Sequence, residues 1–225
     1  MKITQEQIAK IDEKLDLKGL VYDDIKLELL DHIASDIEIV MVDKEVSFEI
    51  AFKEAFKKWK PQLQPFKSWF LEYEKIPRIA TNKMINQVKY WFIVFPIVIA
   101  TIITFFVLQF INMIEIDVFM NSINNIFKIS FITILFLLFT SKVLLKKTKI
   151  KTTYNSFFIM TSGFSIFMSG YILYIIWSNP IPHFDSNLYM IFLIIFVSTF
   201  VIIVSIVSLI YLYKHFQFER KLSKV

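Results

Sequence analysis

The stretch Tyr90–Ile111, YWFIVFPIVIATIITFFVLQFI, has no ionisable side chain near its middle and a single carboxamide, Gln109. At about 1.5 Å per helical residue it reaches roughly 33 Å, enough to cross a hydrocarbon core of about 30 Å. Three more apolar stretches follow, near 126–145, 154–177 and 188–213, with short connections between them. Residues 1–89 are charged and carry a different, amphipathic pattern. The fold expected is therefore all-α: a cytosolic head of three to four helices over 1–77, then a four-helix transmembrane bundle over 78–225. The bundle has a basic cytosolic loop at 142–153 and a basic tail at 214–225.

Composition supports that division. The chain of 225 residues is 56% hydrophobic and 17% aromatic, with a mean hydropathy of +0.56. Values this high, carried in long uncharged runs, read as spans rather than as one large soluble core. There is no cysteine, which excludes disulfides, thiolate catalysis and thiolate-built zinc or iron–sulfur sites. The opening MKITQEQIAKIDEKLD has no apolar run behind Lys2, so no cleavable signal peptide is expected and the head stays in the cytosol. Residues 1–50 hold six lysines against thirteen carboxylates, residues 51–89 nine Lys or Arg against three, and the remainder ten against four. Positive charge thus gathers where the head nears the first span. This suits an anionic lipid surface and implies no nucleic-acid partner.

Within the head, Thr4 and Gln7 form a capping-box pair ahead of Ile8, Ile11 and Leu15, which predicts a helix over about 5–16, closed at Lys18-Gly19. A second helix is expected to start after Tyr22-Asp23 and to run to about Val42, with Leu30, Ile33, Ala34, Ile37 and Met41 on its core face. Opposite lie Asp24, Glu28, Asp31, His32 and Ser35. Glu28 with His32, and His32 with Asp36, are four apart and can meet. Three readings of this stripe are open: a solvated face with local ion pairs, a divalent-metal site, or a docking face for a partner protein. It lacks the paired histidines that specify zinc, so no metal or cofactor is assigned and the five residues are taken as the partner-binding candidates. Ser47 is the expected cap of a third helix with Phe48, Ala51, Phe52, Ala55, Phe56 and Trp59 on one face and Lys53, Lys57, Lys58 and Lys60 on the other. Pro61 and Pro65 are expected to break it. Phe66, Trp69, Phe70 and Tyr73 then recur at helical spacing, as a short aromatic helix that either lies in the bilayer interface or closes the head's core.

The run Glu28-Leu29-Leu30-Asp31-His32-Ile33, with Asp36 and Glu38 behind it and Ser47-Phe48-Glu49-Ile50-Ala51-Phe52 further on, resembles two related helical prefix domains of bacterial membrane proteins. These are the alpha-helical signalling domain associated with PadR-type regulators and the permease-prefix domain; the layout is also similar to small four-span proteins of Bacteroidetes. The resemblance covers about residues 5–60. It departs at the end of the third helix, where Trp59-Lys60-Pro61 replaces the glycine often found there. It implies a regulatory or interaction head in a bacterial inner membrane, and no catalytic residues.

Orientation follows from the loops. Lys142, Lys146, Lys147, Lys149 and Lys151 lie between spans two and three, Arg78, Lys83 and Lys89 precede span one, and Lys214, Arg220, Lys221 and Lys224 close the chain. The loops near Glu115 and Asp117 and near His183 and Asp185 contain no Lys or Arg, so both termini are expected in the cytosol. Lys128, at the outer end of span two, dissents. Trp91, Tyr154, Tyr211 and Tyr213 are expected at the inner interface and Trp177 and Tyr189 at the outer. In span three Ser162, Gly163, Ser165, Ser169 and Gly170 form a small-residue stripe, matched by Ser198, Ser205 and Ser208 in span four, and both read as helix-packing surfaces. No Asp, Glu or His lies deep in any span, and no Walker, GxGxxG or HExxH motif occurs, so ion-coupled transport, intramembrane hydrolysis and nucleotide chemistry find no residues here. The functional expectation is a small non-enzymatic membrane protein, in contact with the lipid bilayer, whose head binds a protein partner; a homo-oligomer stays open. The alternative is a transport component, as an accessory permease subunit or a small uncoupled carrier.

Overall fold

The computed structural model describes residues 2–66, 76–111, 116–178 and 188–223, which are almost wholly helical. The chain divides into two compact units, Met1–Asn86 with Ile150–Thr153, and Gln87–Lys149 with Tyr154–Val225. The first unit thus runs past Pro77, and it takes in four residues from far along the chain.

Helix α1 (Gln5–Leu17) starts on the expected capping box: Thr4 Oγ1 accepts from the Gln7 amide at 3.3 Å, and Gln7 Oε1 accepts from the Thr4 amide at 2.8 Å. It ends on Gly19 at φ 79, with the Gly19 amide donating to Asp16 O and the Leu20 amide to Leu15 O. Those two bonds are the paired closure that needs a left-handed residue, and glycine takes that conformation without a Cβ clash. Helix α2 (Asp23–Asp43) packs against both α1 and α3 (Phe48–Leu63). Its buried row is Ile25, Leu29, Ile33, Ile37 and Met41, while Leu30 and Ala34 are only half-buried. The core face is therefore turned slightly from the predicted one, because neighbours press on α2 from two sides.

Ser47 occupies the N-cap position of α3 but its hydroxyl makes no capping bond. Pro61 does not break α3, which continues to Leu63. The proline removes one donor, to the Lys57 carbonyl, in a last turn that has few bonds left to lose. Strands β1 (Pro65–Phe66) and β2 (Ile76–Pro77) pair antiparallel, Phe66 facing Ile76. Phe66 is thus in a strand, with the Arg78 guanidinium 5.9 Å from its ring; Trp69, Phe70 and Tyr73 lie outside the described residues. Helix α4 (Arg78–Gln87) buries Ala80, Thr81 and Met84.

In the second unit, a π-helical turn at Val88–Val94 leads into α5 (Phe95–Ile111), and the backbone stays helical from Arg78 onward. The Phe95 amide donates to Tyr90 O, five residues back. Pro96 follows, with no amide hydrogen and a ring that crowds the carbonyl four residues earlier, and the wider turn makes room for it. Helices α6 (Ile116–Leu145), α7 (Thr153–Ser178) and α8 (Leu188–Leu222) complete the chain. Among the described residues, four stretches are long and apolar enough to cross a membrane: Arg78–Gln109, Asn121–Leu145, Thr153–Ser178 and Tyr189–Leu222.

Helix α8 is the centre of the bundle, packed on both α5 and α6. One core layer joins Phe127 and Phe131 of α6, Ile172 and Ile176 of α7 and Ile191 and Ile195 of α8; a second joins Ile134, Leu138, Phe158 and Leu212. Tyr211, expected among the interfacial aromatics, is turned inward. It is 3% exposed, inside a ring cluster with Phe92 at 5.3 Å, Phe157 at 5.4 Å and Tyr154 at 6.0 Å. Trp91, Tyr213, Trp177 and Tyr189 are exposed. Lys128 is held over the Trp177 ring at 5.7 Å, a cation–π contact that accounts for a lysine at this end of α6.

Candidate functional site

The five candidate residues of α2 do not share one fate. Asp24 is buried, against the expectation that it lies on an open face. Its Oδ1 accepts from the Thr153 amide at 2.8 Å, and its Oδ2 from the Thr153 hydroxyl. Glu28 is half consumed by an ion pair with Lys83 of α4, although it stays exposed. Asp31, His32 and Ser35 are exposed, and Ser35 Oγ donates to the Asp31 carbonyl at 2.9 Å. The His32–Asp36 pairing considered from spacing is outcompeted: Asp36 accepts from Lys58 Nζ at 2.8 Å and from Trp59 Nε1 at 2.8 Å. Among the described residues no three His, Asp or Glu side chains gather into a metal-holding group. His183 and Asp185 lie outside the described residues.

What sequence reasoning missed is the role of Ile150–Thr153. Residue Tyr22 offers no side-chain cap to α2. Instead the Asp23 amide donates to Lys151 O at 2.8 Å, and the Lys151 amide returns a bond to Asp23 Oδ2 at 3.2 Å. Thr153, the first residue of α7, has its own amide taken by Asp24. Each of these helix starts therefore supplies the acceptor that the other lacks, and the Asp24 carboxylate sits where a helix N-terminus favours negative charge. Thr152 and Thr153 are buried at 1% and 0% exposure, so the Asp24–Thr153 bonds form away from water. The partners are 129 residues apart in sequence, and no local pattern announces them.

Electrostatics distinguish the carboxylates of α2. Burial lifts the Asp23 carboxyl above its ordinary range, against the opposing pull of the Lys151 amide and the Lys26 charge. Burial also works against the Lys26 ammonium, but bonds to Asp16 and Asp12 outweigh it and raise its pKa. For Asp36 burial is likewise outweighed, and the Lys58 and Trp59 bonds hold the carboxyl below its usual value.

In the bundle, the small-residue stripe of α7 separates into two. Ser162, Ser165 and Ser169 are fully buried, whereas Gly163 and Gly170 are exposed, and a Cβ added at either glycine meets nothing within 4 Å. At 100° per residue the serines share one face and the glycines lie about 120° away. The glycines are thus not points of close approach within this bundle. An interhelical polar contact joins Ser208, of the expected α8 line, to Thr161, a residue the α7 stripe did not include: Ser208 Oγ donates to Thr161 Oγ1 at 2.7 Å. His215, which falls within the basic tail expected at 214–225, is fully buried in α8 with its ring 5.5 Å from Phe216.

Four membrane-length helices and a separate helical unit define a multi-pass membrane protein of all-α class. Comparison with protein-family models, with curated proteins and with solved structures found no match.

Proposed function

We propose that this chain is a small inner-membrane protein with both termini in the cytosol, whose head is a protein-interaction module without chemistry of its own. The observation that carries this reading is the open face of α2. Asp31, His32 and Ser35 stand exposed together, while the charged neighbours that could have been spent in the same way, Asp24 and Asp36, are already engaged within the head. A polar face with charge left over after internal pairing suits recognition by a complementary protein surface. The head is joined to the rest of the chain at three places, 86–87, 149–150 and 153–154, so an event at α2 has more than one covalent route toward the spans.

The test is photocrosslinking from position Ser35 in native membranes, using the full chain. A specific adduct with another protein that is lost in Asp31→Lys and weakened in His32→Ala supports the reading; the same adduct in all three chains defeats it. The orientation has its own test in this cysteine-free chain, since Lys149→Cys labelled from outside intact cells would overturn it. A second reading, a transport component, is favoured by one observation: side-chain oxygens of Thr104, Asn124, Ser165, Ser169 and Ser198 are buried without a hydrogen-bond partner among the described residues. Solute flux in proteoliposomes that is lost on Asn124→Leu would move the assignment to that reading.

A further inference from the structure

The C-terminal half of α2 and the loop after it carry two adjoining open concavities that share Val42. One, of about 580 Å³, is lined by Lys2, Ser35, Glu38, Ile39, Val42 and Asp43. The other, of about 700 Å³, is lined by Met41, Val42, Glu45, Val46 and Ser47. Ile39 and Val42 are 56% and 55% exposed and stand one turn apart on α2. Around them stand Glu38, Asp43 and Glu45, against a single lining cation, Lys2. Asp43 and Glu45 have no ion pair among the described residues, and Glu38 accepts only the Ile3 amide, at 3.0 Å. Glu45 also holds a left-handed backbone at φ 52, which places a carboxylate where a helix end more often has glycine.

The surface that complements this groove is on the same chain. The outward face of α3 presents Ile50, 54% exposed, with Lys53, Lys57 and Lys60 around it. The carboxylates of that face, Glu49 and Glu54, are neutralised by Lys10 and Lys44, whereas Lys53, Lys57 and Lys60 have no carboxylate partner among the described residues. It is an apolar knob in a basic setting, opposite in sign to an apolar groove in an acidic one. The two surfaces do not cover each other within one head, where Val42 and Ile50 are both more than half exposed.

We propose that the acidic groove beside Val42 receives the basic α3 face of a second copy of this chain, so that heads associate head to tail in the membrane. This rests on the reading of the head as an interaction module, and names one of its partners as the protein itself. The contact is heterologous, one surface on a different one, so it propagates around a ring or along a row instead of stopping at a two-fold dimer. Ile50 and Val42 supply the apolar centre, and the lysine and carboxylate rims set which surface meets which.

The experiment uses two tagged full-length chains, Val42→Cys and Ile50→Cys, expressed together in native membranes and joined with a short bis-maleimide. A mixed Val42–Ile50 product is expected, well above either like-with-like product. Asp43→Lys with Glu45→Lys on the Val42→Cys chain should lower that product about tenfold, equivalent to about 1.4 kcal/mol. Adding Lys53→Glu with Lys57→Glu to the other chain should restore it. Absence of the mixed product, a dominant Val42–Val42 product, insensitivity to charge reversal, or trapping of the Val42 thiol only by a different protein would each overturn the proposal. The Ser35 adduct with a non-self partner is read in the same membranes. If that adduct persists while the mixed product is absent, self-association fails and the docking reading stands; if both are absent, the docking reading fails as well.

Discussion

The two units handle polar side chains in opposite ways. In the head, polar groups reach across elements: Lys10 to Glu49, Lys58 to Asp36 and Lys83 to Glu28 join residues 39, 22 and 55 positions apart. In the bundle, hydroxyls turn back on their own helix, as Thr101 does to Ile97 O, Thr133 to Ile129 O and Ser205 to Val201 O, each four residues away. Water accounts for the difference. A solvated charge finds distant partners at little cost, whereas in lipid an unsatisfied hydroxyl is costly and the nearest free acceptor is the carbonyl one turn back. Thus the head specifies its tertiary arrangement through polar pairs as well as apolar burial, and the bundle relies mainly on the shape of its apolar side chains. Thr161–Ser208 in the bundle is an exception, as are Ser35 and Thr81 in the head, whose hydroxyls bond to Asp31 O and Pro77 O, and Asp24–Thr153 is a buried polar pair of the head.

That contrast can be broken by four measurements at five positions, in order of expected effect. Ile33→Ala removes a fully buried side chain from the head and should cost about 2–5 kcal/mol. Ile195→Ala, equally buried in the bundle, should cost less, because lipid is as apolar as the site and only packing is lost. Hydrogen exchange on the full chain in nanodiscs compares the two directly, and equal losses would remove the distinction. Asp24→Ala leaves the Thr153 amide buried without its acceptor and should cost about 1–3 kcal/mol, seen as faster exchange at the start of both α2 and α7. If only α2 loosens, the reciprocal capping is not a shared unit.

Ser208→Ala should cost about 0.6 kcal/mol, since Thr161 still bonds to Phe157 O within its own helix. A steric-trap unfolding measurement showing several times that loss would mean that the bundle, too, depends on polar pairing. The smallest effect concerns pH. Asp36 has a lower pKa folded than unfolded, so its stabilising contribution is present above the ordinary carboxylate range and is lost as pH falls through the folded value. The difference in thermal stability between the native chain and Asp36→Asn should therefore shrink in acid, and a difference that widens there would reverse the assignment.

Much of this was legible in the amino-acid order because it depends on neighbours. The four apolar stretches, the Thr4–Gln7 capping box, the α1 stop at Gly19 and the start of α2 near Asp23 all follow from hydropathy and backbone bonding within a few residues. Other features required the folded chain. A helical wheel places Asp24 on the same face as Asp31 and Ser35, yet Thr153 withdraws it into a buried cap from 129 positions away. The same wheel cannot say that Ser162, Ser165 and Ser169 turn inward while Gly163 and Gly170 face out, or that Tyr211 turns inward onto Phe92 and Phe157. Periodicity sets which residues share a face and how far a segment reaches. Which face is covered, and by what, is decided only when distant segments compete for it, because burial and hydrogen-bond partnership belong to pairs and not to positions.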